Sequence, residues 1–151
     1  MLRPRITPCL LVHKGGLVKT HRFKDPKYVG DPINAVKIFN EKESDELIVL
    51  DIDATRLGYE PNFDLISRIS DECRMPLCYG GGVKTAKQAE KIICMGVEKV
   101  AISSAAIENP SIVSEIASVV GRQSVVAVID VREKNGIFNK GYEVCTHNAT
   151  K

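Results

Sequence analysis

Three kinds of residue in this sequence stand where chemistry could be done. Tyr79-Gly80-Gly81-Gly82 closes an apolar run and precedes a helix-start signal at Thr85. Glycines there let backbone N–H groups come close to an anion. They also suit a tight strand-to-helix turn. The spacing is neither the Gly-x-Gly-x-x-Gly fingerprint nor a P-loop, because no Gly-Lys-Ser/Thr follows. Ser103-Ser104 closes the next apolar run, and hydroxyls at such a point suit phosphate oxygens. On adjacent strands the two segments would point at one spot, which favours a phosphate site.

Carboxylates form the second kind. Asp51, Asp53 and Asp130 each end an apolar run. Acids at that edge of a barrel catalyse, although an aspartate there can equally cap the following loop. The third kind sits at the opposite ends. Arg5, Glu46 and Lys99 each begin a run. They are either solvated strand starts or a mixed-sign ring at the bottom of a barrel. A basic segment after the first run, Gly15-Gly16 followed by Lys19, His21, Arg22 and Lys24, reads as a flexible loop. It is either a lid over an anionic substrate or plain solvated chain. His13, His21 and His147 lack metal-ligand spacing, so no metal site is expected.

The elements that must position these groups alternate. Apolar runs over Arg5–Val12, Leu47–Asp53, Met75–Tyr79, Val97–Ser103 and Ser124–Asp130 are short and rich in β-branched residues. Such runs suit strands buried on both faces of a parallel sheet. Helices are expected between them. Asp31-Pro32, Asn62, Thr85 and Asn109-Pro110 open these helices, and Gly96 and Gly121 close two of them. This βαβαβαβαβ order implies right-handed crossovers. After Asp130 the pattern changes, and Asn135-Gly136 suits a tight hairpin.

The 151 residues are 44% hydrophobic and 26% charged, which suits one globular domain spanning residues 1–151. A net charge of +2 argues for neither nucleic acid nor a membrane surface as partner. No apolar run reaches the ~18 residues of a membrane span, and no cleavage site marks a signal peptide. The five cysteines include no Cys-x-x-Cys pair, so free thiols in a reducing cytoplasm are expected.

The stretches RITPCLLV, GLVKT, DELIVLDIDA, GGGVKT, VEKVAISSAAIENP and QSVVAVID carry a resemblance. In order and spacing they are similar to the HisF family, the cyclase (synthase) subunits of imidazole glycerol phosphate synthase. The resemblance implies an α/β fold of the (β/α)8 TIM-barrel family, about 250 residues in full. This chain would supply the first five strands and four helices, an incomplete barrel. Strands one and five would then keep unpaired edges, so self-association is expected of such a chain.

The resemblance also implies roles. Gly81, Gly82, Ser103 and Ser104 match a phosphate site. Lys19 matches a mobile-loop lysine and Asp51 a polar residue of the substrate site. Arg5, Glu46 and Lys99 match members of a gate through which ammonia enters from a HisH-type glutaminase partner. No cofactor is implied. Of two aspartates that act as general acid and base, one matches Asp130 and the other falls on Leu11. Leucine cannot transfer a proton, which argues against ring closure. PCLLVH and LDIDAT also resemble a paralogous group found with surface-polysaccharide genes. There the barrel is thought to pass ammonia to an acetamidino sugar.

Overall fold

A computed structural model describes residues 3–135 and 140–147. The sheet begins at β1 (Cys9–His13), followed by a hairpin of β2 (Gly16–His21) and β3 (Lys24–Gly30). Next come α1 (Pro32–Glu41), β4 (Leu47–Asp51), α2 (Ala54–Leu57), α3 (Phe63–Glu72), β5 (Leu77–Gly80) and α4 (Ala86–Cys94). Then follow β6 (Lys99–Ile102), α5 (Ser104–Glu108), α6 (Ser111–Val120) and β7 (Val125–Ala127). A separate hairpin, β8 (Asp130–Asn135) and β9 (Lys140–Cys145), comes last.

The main sheet has the order β3-β2-β1-β4-β5-β6-β7. Within it β1, β4, β5, β6 and β7 are parallel and adjacent in chain order. They are the five strands expected from the sequence, and α1, α3, α4 and α6 are the four helices. Among the described residues the sheet is open, with β3 and β7 as its edges, so the first parallel strand does not keep the unpaired edge expected of it: β2 pairs along it. Such a sheet is part of a barrel wall, not a closed barrel.

Alternation divides each strand between two environments. Val12, Val49, Tyr79 and Val100 face the helices and are at most 1% exposed. They pack with Val36, Ile66, Ile69, Ile92 and Ile116 in one cluster. The opposite face carries residues in register: Leu11 beside Leu50, Leu50 beside Gly80, Gly80 beside Ala101, and Ala101 beside Val126. One layer toward the strand starts lie Cys9, Ile48, Cys78 and Lys99, again in register.

The helix starts follow the caps. Asp31 accepts the Asn34 N–H at 3.0 Å, and Asn62 accepts the Leu65 N–H at 3.0 Å. Thr85 and Gln88 form a reciprocal capping box at the start of α4. Gly96, at φ +93°, ends that helix's final turn. Asn109-Pro110 differs slightly from expectation, because Pro110 stands at the N-cap and α6 begins at Ser111.

Two further expectations need correction. The first strand does not start at Arg5. Pro4 and Pro8 have no N–H to donate, so the ladder forms only from Cys9. Residues before it are instead tied to the approach to β4: Ile6 N–H donates to Asp45 Oδ2 at 2.7 Å. The basic segment after β1 is also not a flexible loop. Leu17 and Val18 are buried, and β2 pairs antiparallel with β1 and β3. His13 pairs with Gly16 across Lys14 and Gly15, whose φ values of 49° and 79° suit a primed hairpin turn. His21 pairs with Lys24 across Arg22 and Phe23, also both at positive φ. The strands flanking Asn135 pair as a hairpin, but residues 136–139 lie outside the described residues.

Candidate active site at the carboxyl ends of the strands

A cavity of about 170 Å³ opens where the parallel strands end. Leu11, Asp51, Gly81, Gly82, Ser103, Ser104 and Asp130 all line it. Seven predicted residues from five separate segments thus meet at one place. Six of them sit on or directly after a parallel strand, whereas the expected fifth strand stops at Ala127 and Asp130 is the first residue of the hairpin strand β8.

The glycines are demanded by packing as well as by the cavity. A Cβ on Gly81 would lie 2.4 Å from the Asp51 carbonyl oxygen. One on Gly82 would lie 2.8 Å from the Tyr59 carbonyl oxygen. Both glycines have positive φ, +119° and +73°. The turn reading and the anion reading therefore coexist. The Gly82 N–H already donates to Thr55 Oγ1 at 3.3 Å. Ser104 Oγ accepts the His147 N–H at 3.4 Å, whereas Ser103 Oγ is buried with no hydrogen-bond partner among the described residues.

The acids behave differently from one another. Asp51 is pushed up by burial, partly offset by N–H groups of Asp53 and Ala54, at 2.9 and 3.1 Å. Those bonds tie down the loop between β4 and α2, so the loop-capping alternative holds for Asp51 even as it lines the cavity. Burial also raises Asp130. Asp53 lies outside this cavity. Burial works against its charge, but the Lys14 N–H, His13 and Arg56 together hold it below the usual carboxylate range.

Lys19 does not reach the cavity. It is exposed on β2, opposite Lys27 of β3, and its neighbour Thr20 lines the cavity instead. The reason is the hairpin: a paired strand fixes which side each residue faces, where a flexible loop would not. Residues that sequence reasoning missed are Thr20, Phe23, Thr55, Arg56 and His147. Thr55 and Arg56 follow directly on β4, and the rule that barrel sites gather on such loops could have found them. His147 had no sequence signal, because it arrives only when β9 folds back along β8.

At the amino ends Arg5, Glu46 and Lys99 come together. Glu46 pairs with Arg5, and Lys99 Nζ donates to Glu46 Oε1 at 2.7 Å. The Lys99 hydrogen bond, with help from Arg5, lowers the Glu46 carboxyl despite some burial. Next to this cluster, burial pushes the Cys78 thiol up to about 12, so it is neutral. Among the described residues no group of histidine, cysteine and acid side chains is arranged to hold a metal ion, and no helix is long and apolar enough to cross a membrane.

Parallel strands in chain order, helices on one face and a cavity at the carboxyl edge define the (β/α)8-barrel class of fold. Comparison with known proteins makes this particular. Residues 5–151 match the model of a family described as histidine biosynthesis protein, and the chain belongs to that family as a HisF-like member. It is 59% identical, over its whole length, to a Vibrio vulnificus protein provisionally named imidazole glycerol phosphate synthase subunit hisF3. It is 56% identical, again over its whole length, to a Pseudomonas aeruginosa protein provisionally named subunit hisF2. Over 93% of the chain it is 37% identical to the imidazole glycerol phosphate synthase subunit HisF of Exiguobacterium sibiricum. The chain spans 57, 59 and 58% of the length of these three relatives.

Proposed function

We propose that this chain is the ammonia-receiving part of a HisF-type synthase subunit. Ammonia from a HisH-type glutaminase enters at Arg5, Glu46 and Lys99. It travels through the sheet's inner face to a phosphate-bearing substrate held by Gly81, Gly82, Ser103 and Ser104. The product is an acetamidino sugar of a surface polysaccharide, made in the cytoplasm, and not an imidazole ring.

One observation carries the reading. The charged cluster is assembled, while the cavity holds Asp130 opposite a strand that offers Leu11. Moving ammonia requires an entrance and a neutral, largely apolar path. Leu11, Leu50, Gly80 and Ala101 form one such layer in register, and Cys9, Ile48 and Cys78 lie one layer below it, beside Lys99 of the entrance. Ring closure requires proton transfer from two sides, and Leu11 has no proton to give.

A cyclase of histidine biosynthesis is the second reading, favoured by Asp130 in the cavity. Complementation of a strain lacking its cyclase separates the two. The gene is expected to leave that strain dependent on histidine. Growth at the wild-type rate without histidine contradicts the amidination reading.

A further inference from the structure

A second cavity, about 270 Å³, adjoins the first. Thr20, Phe23, Ile52 and Arg56 line both, so the two share a wall. The second alone adds His13, Pro26 and Asp53.

His13 is held in a specific way. Its Nδ1 lies 2.9 Å from Asp53 Oδ1. That carboxylate is fixed in turn: Arg56 Nη2 donates to Oδ1 at 3.2 Å, and the Lys14 N–H donates to Oδ2 at 2.9 Å. The side chains are 20% and 10% exposed. Nε2 of His13 has no hydrogen-bond partner among the described residues, yet it is not sealed from solvent. A carboxylate on Nδ1 sets the tautomer with the proton on that nitrogen, leaving the Nε2 lone pair toward the cavity. The ring has few alternatives, because His13 ends β1 at a hairpin turn and Asp53 directly precedes α2.

We propose that His13, oriented by Asp53, is the general base of the second cavity, which takes the acceptor carbon of an anionic, carbonyl-bearing substrate. Arg56, lining both cavities, faces the substrate's negative charge. The step balances simply. The ammonia lone pair forms the new C–N bond, the carbonyl π pair moves to oxygen, and Nε2 carries two protons in turn from nitrogen to that oxygen, which leaves as water as the nitrogen lone pair closes the C=N bond. Leu11 lies two residues before His13 on the same strand. Leu11 lines the first cavity and His13 the second, so His13 does not replace the acid missing at Leu11. This assignment rests on the ammonia-transfer reading above.

The test uses two measurements on the protein. Histidine NMR in mildly alkaline solution reads the tautomer: a protonated Nδ1 and bare Nε2 are expected. A proton on Nε2 overturns the proposal, whatever the substrate. The second measurement supplies isotope-labelled ammonium chloride and an extract of a strain lacking the protein as source of acceptor. Initial rates of label entering sugar phosphates are compared for the wild type, His13→Gln and Asp53→Asn. Glutamine can keep a hydrogen bond to Asp53 but cannot carry a proton. A fall of about 100-fold in His13→Gln, with its melting curve unchanged, is expected. A fall smaller than about 10-fold beside an active wild type overturns the assignment of His13 alone. A wild type that incorporates no label overturns the ammonia-transfer reading, and this assignment with it.

Discussion

The two ends of the parallel strands are built on opposite electrostatic plans. At the amino ends, Glu46 is matched by Arg5 and Lys99, and its carboxyl is held low. At the carboxyl ends, Asp130 and Asp51 are raised by burial, and Ser103 keeps a buried hydroxyl without a partner. One end satisfies its charges within the protein. The other leaves polar groups uncommitted, which is what a ligand site requires and a structural cluster does not.

The largest expected effect breaks the carboxyl end alone. Gly81→Ala places a Cβ 2.4 Å from the Asp51 carbonyl oxygen at φ +119°, and neither backbone can yield cheaply. Denaturant unfolding should show a loss of about 3 kcal/mol or more. A loss under about 1 kcal/mol would mean that Asp51 and Gly81 separate easily, and the cavity wall is softer than described. Thr85→Ala, at the far end of the loop that carries Gly81 and Gly82, removes half of a capping box and should cost about 1 kcal/mol in the same assay.

Smaller effects test the contrast in sign. Glu46 is depressed, so its stabilisation is present above the unfolded value of about 4.3 and is lost as pH falls through the folded one. Glu46→Gln should therefore be less stable than wild type at neutral pH, with the gap closing in acid. Asp130 is raised, so its contribution is present below the unfolded value of about 3.9 and is lost as pH rises through the folded one. Asp130→Asn should be more stable than wild type at neutral pH, again with the gap closing in acid. Both groups are partly exposed, and solvent screening keeps each effect under about 1 kcal/mol. Thermal melting across acid and neutral buffers reads both signs, and equal signs would erase the contrast. The smallest effect is chemical. Cys78, buried with its thiol pushed up to about 12, should resist iodoacetamide at neutral pH, while exposed Cys94 is alkylated. Peptide mass mapping checks this.

Much of this arrangement was legible in the sequence. The five parallel strands and the caps at Asp31, Asn62 and Thr85 follow from local pattern, because each depends on residues a few positions apart. The cavity's Gly81, Gly82, Ser103 and Ser104 were legible because strand ends in a parallel sheet converge. The meeting of Arg5, Glu46 and Lys99 could be suspected, but their contact depends on register across β1, β4 and β6. What stayed hidden was non-local. Lys14-Gly15 is a hairpin turn only once Leu17 and Val18 find β1 to pack on, and that pairing turns Lys19 away from the cavity. His147 reaches the cavity only through the fold-back of β9. The His13–Asp53 pair joins residues 40 positions apart.

The central claim is that this scaffold moves ammonia without closing a ring. It is tested most directly by following the amide nitrogen of isotope-labelled glutamine. The protein and the proposed HisH-type glutaminase are supplied with an acceptor extract from a strain lacking the protein. The account predicts label in a sugar amidino group and none in imidazole glycerol phosphate. Label in the imidazole ring, with the sugar fraction unlabelled, would contradict it.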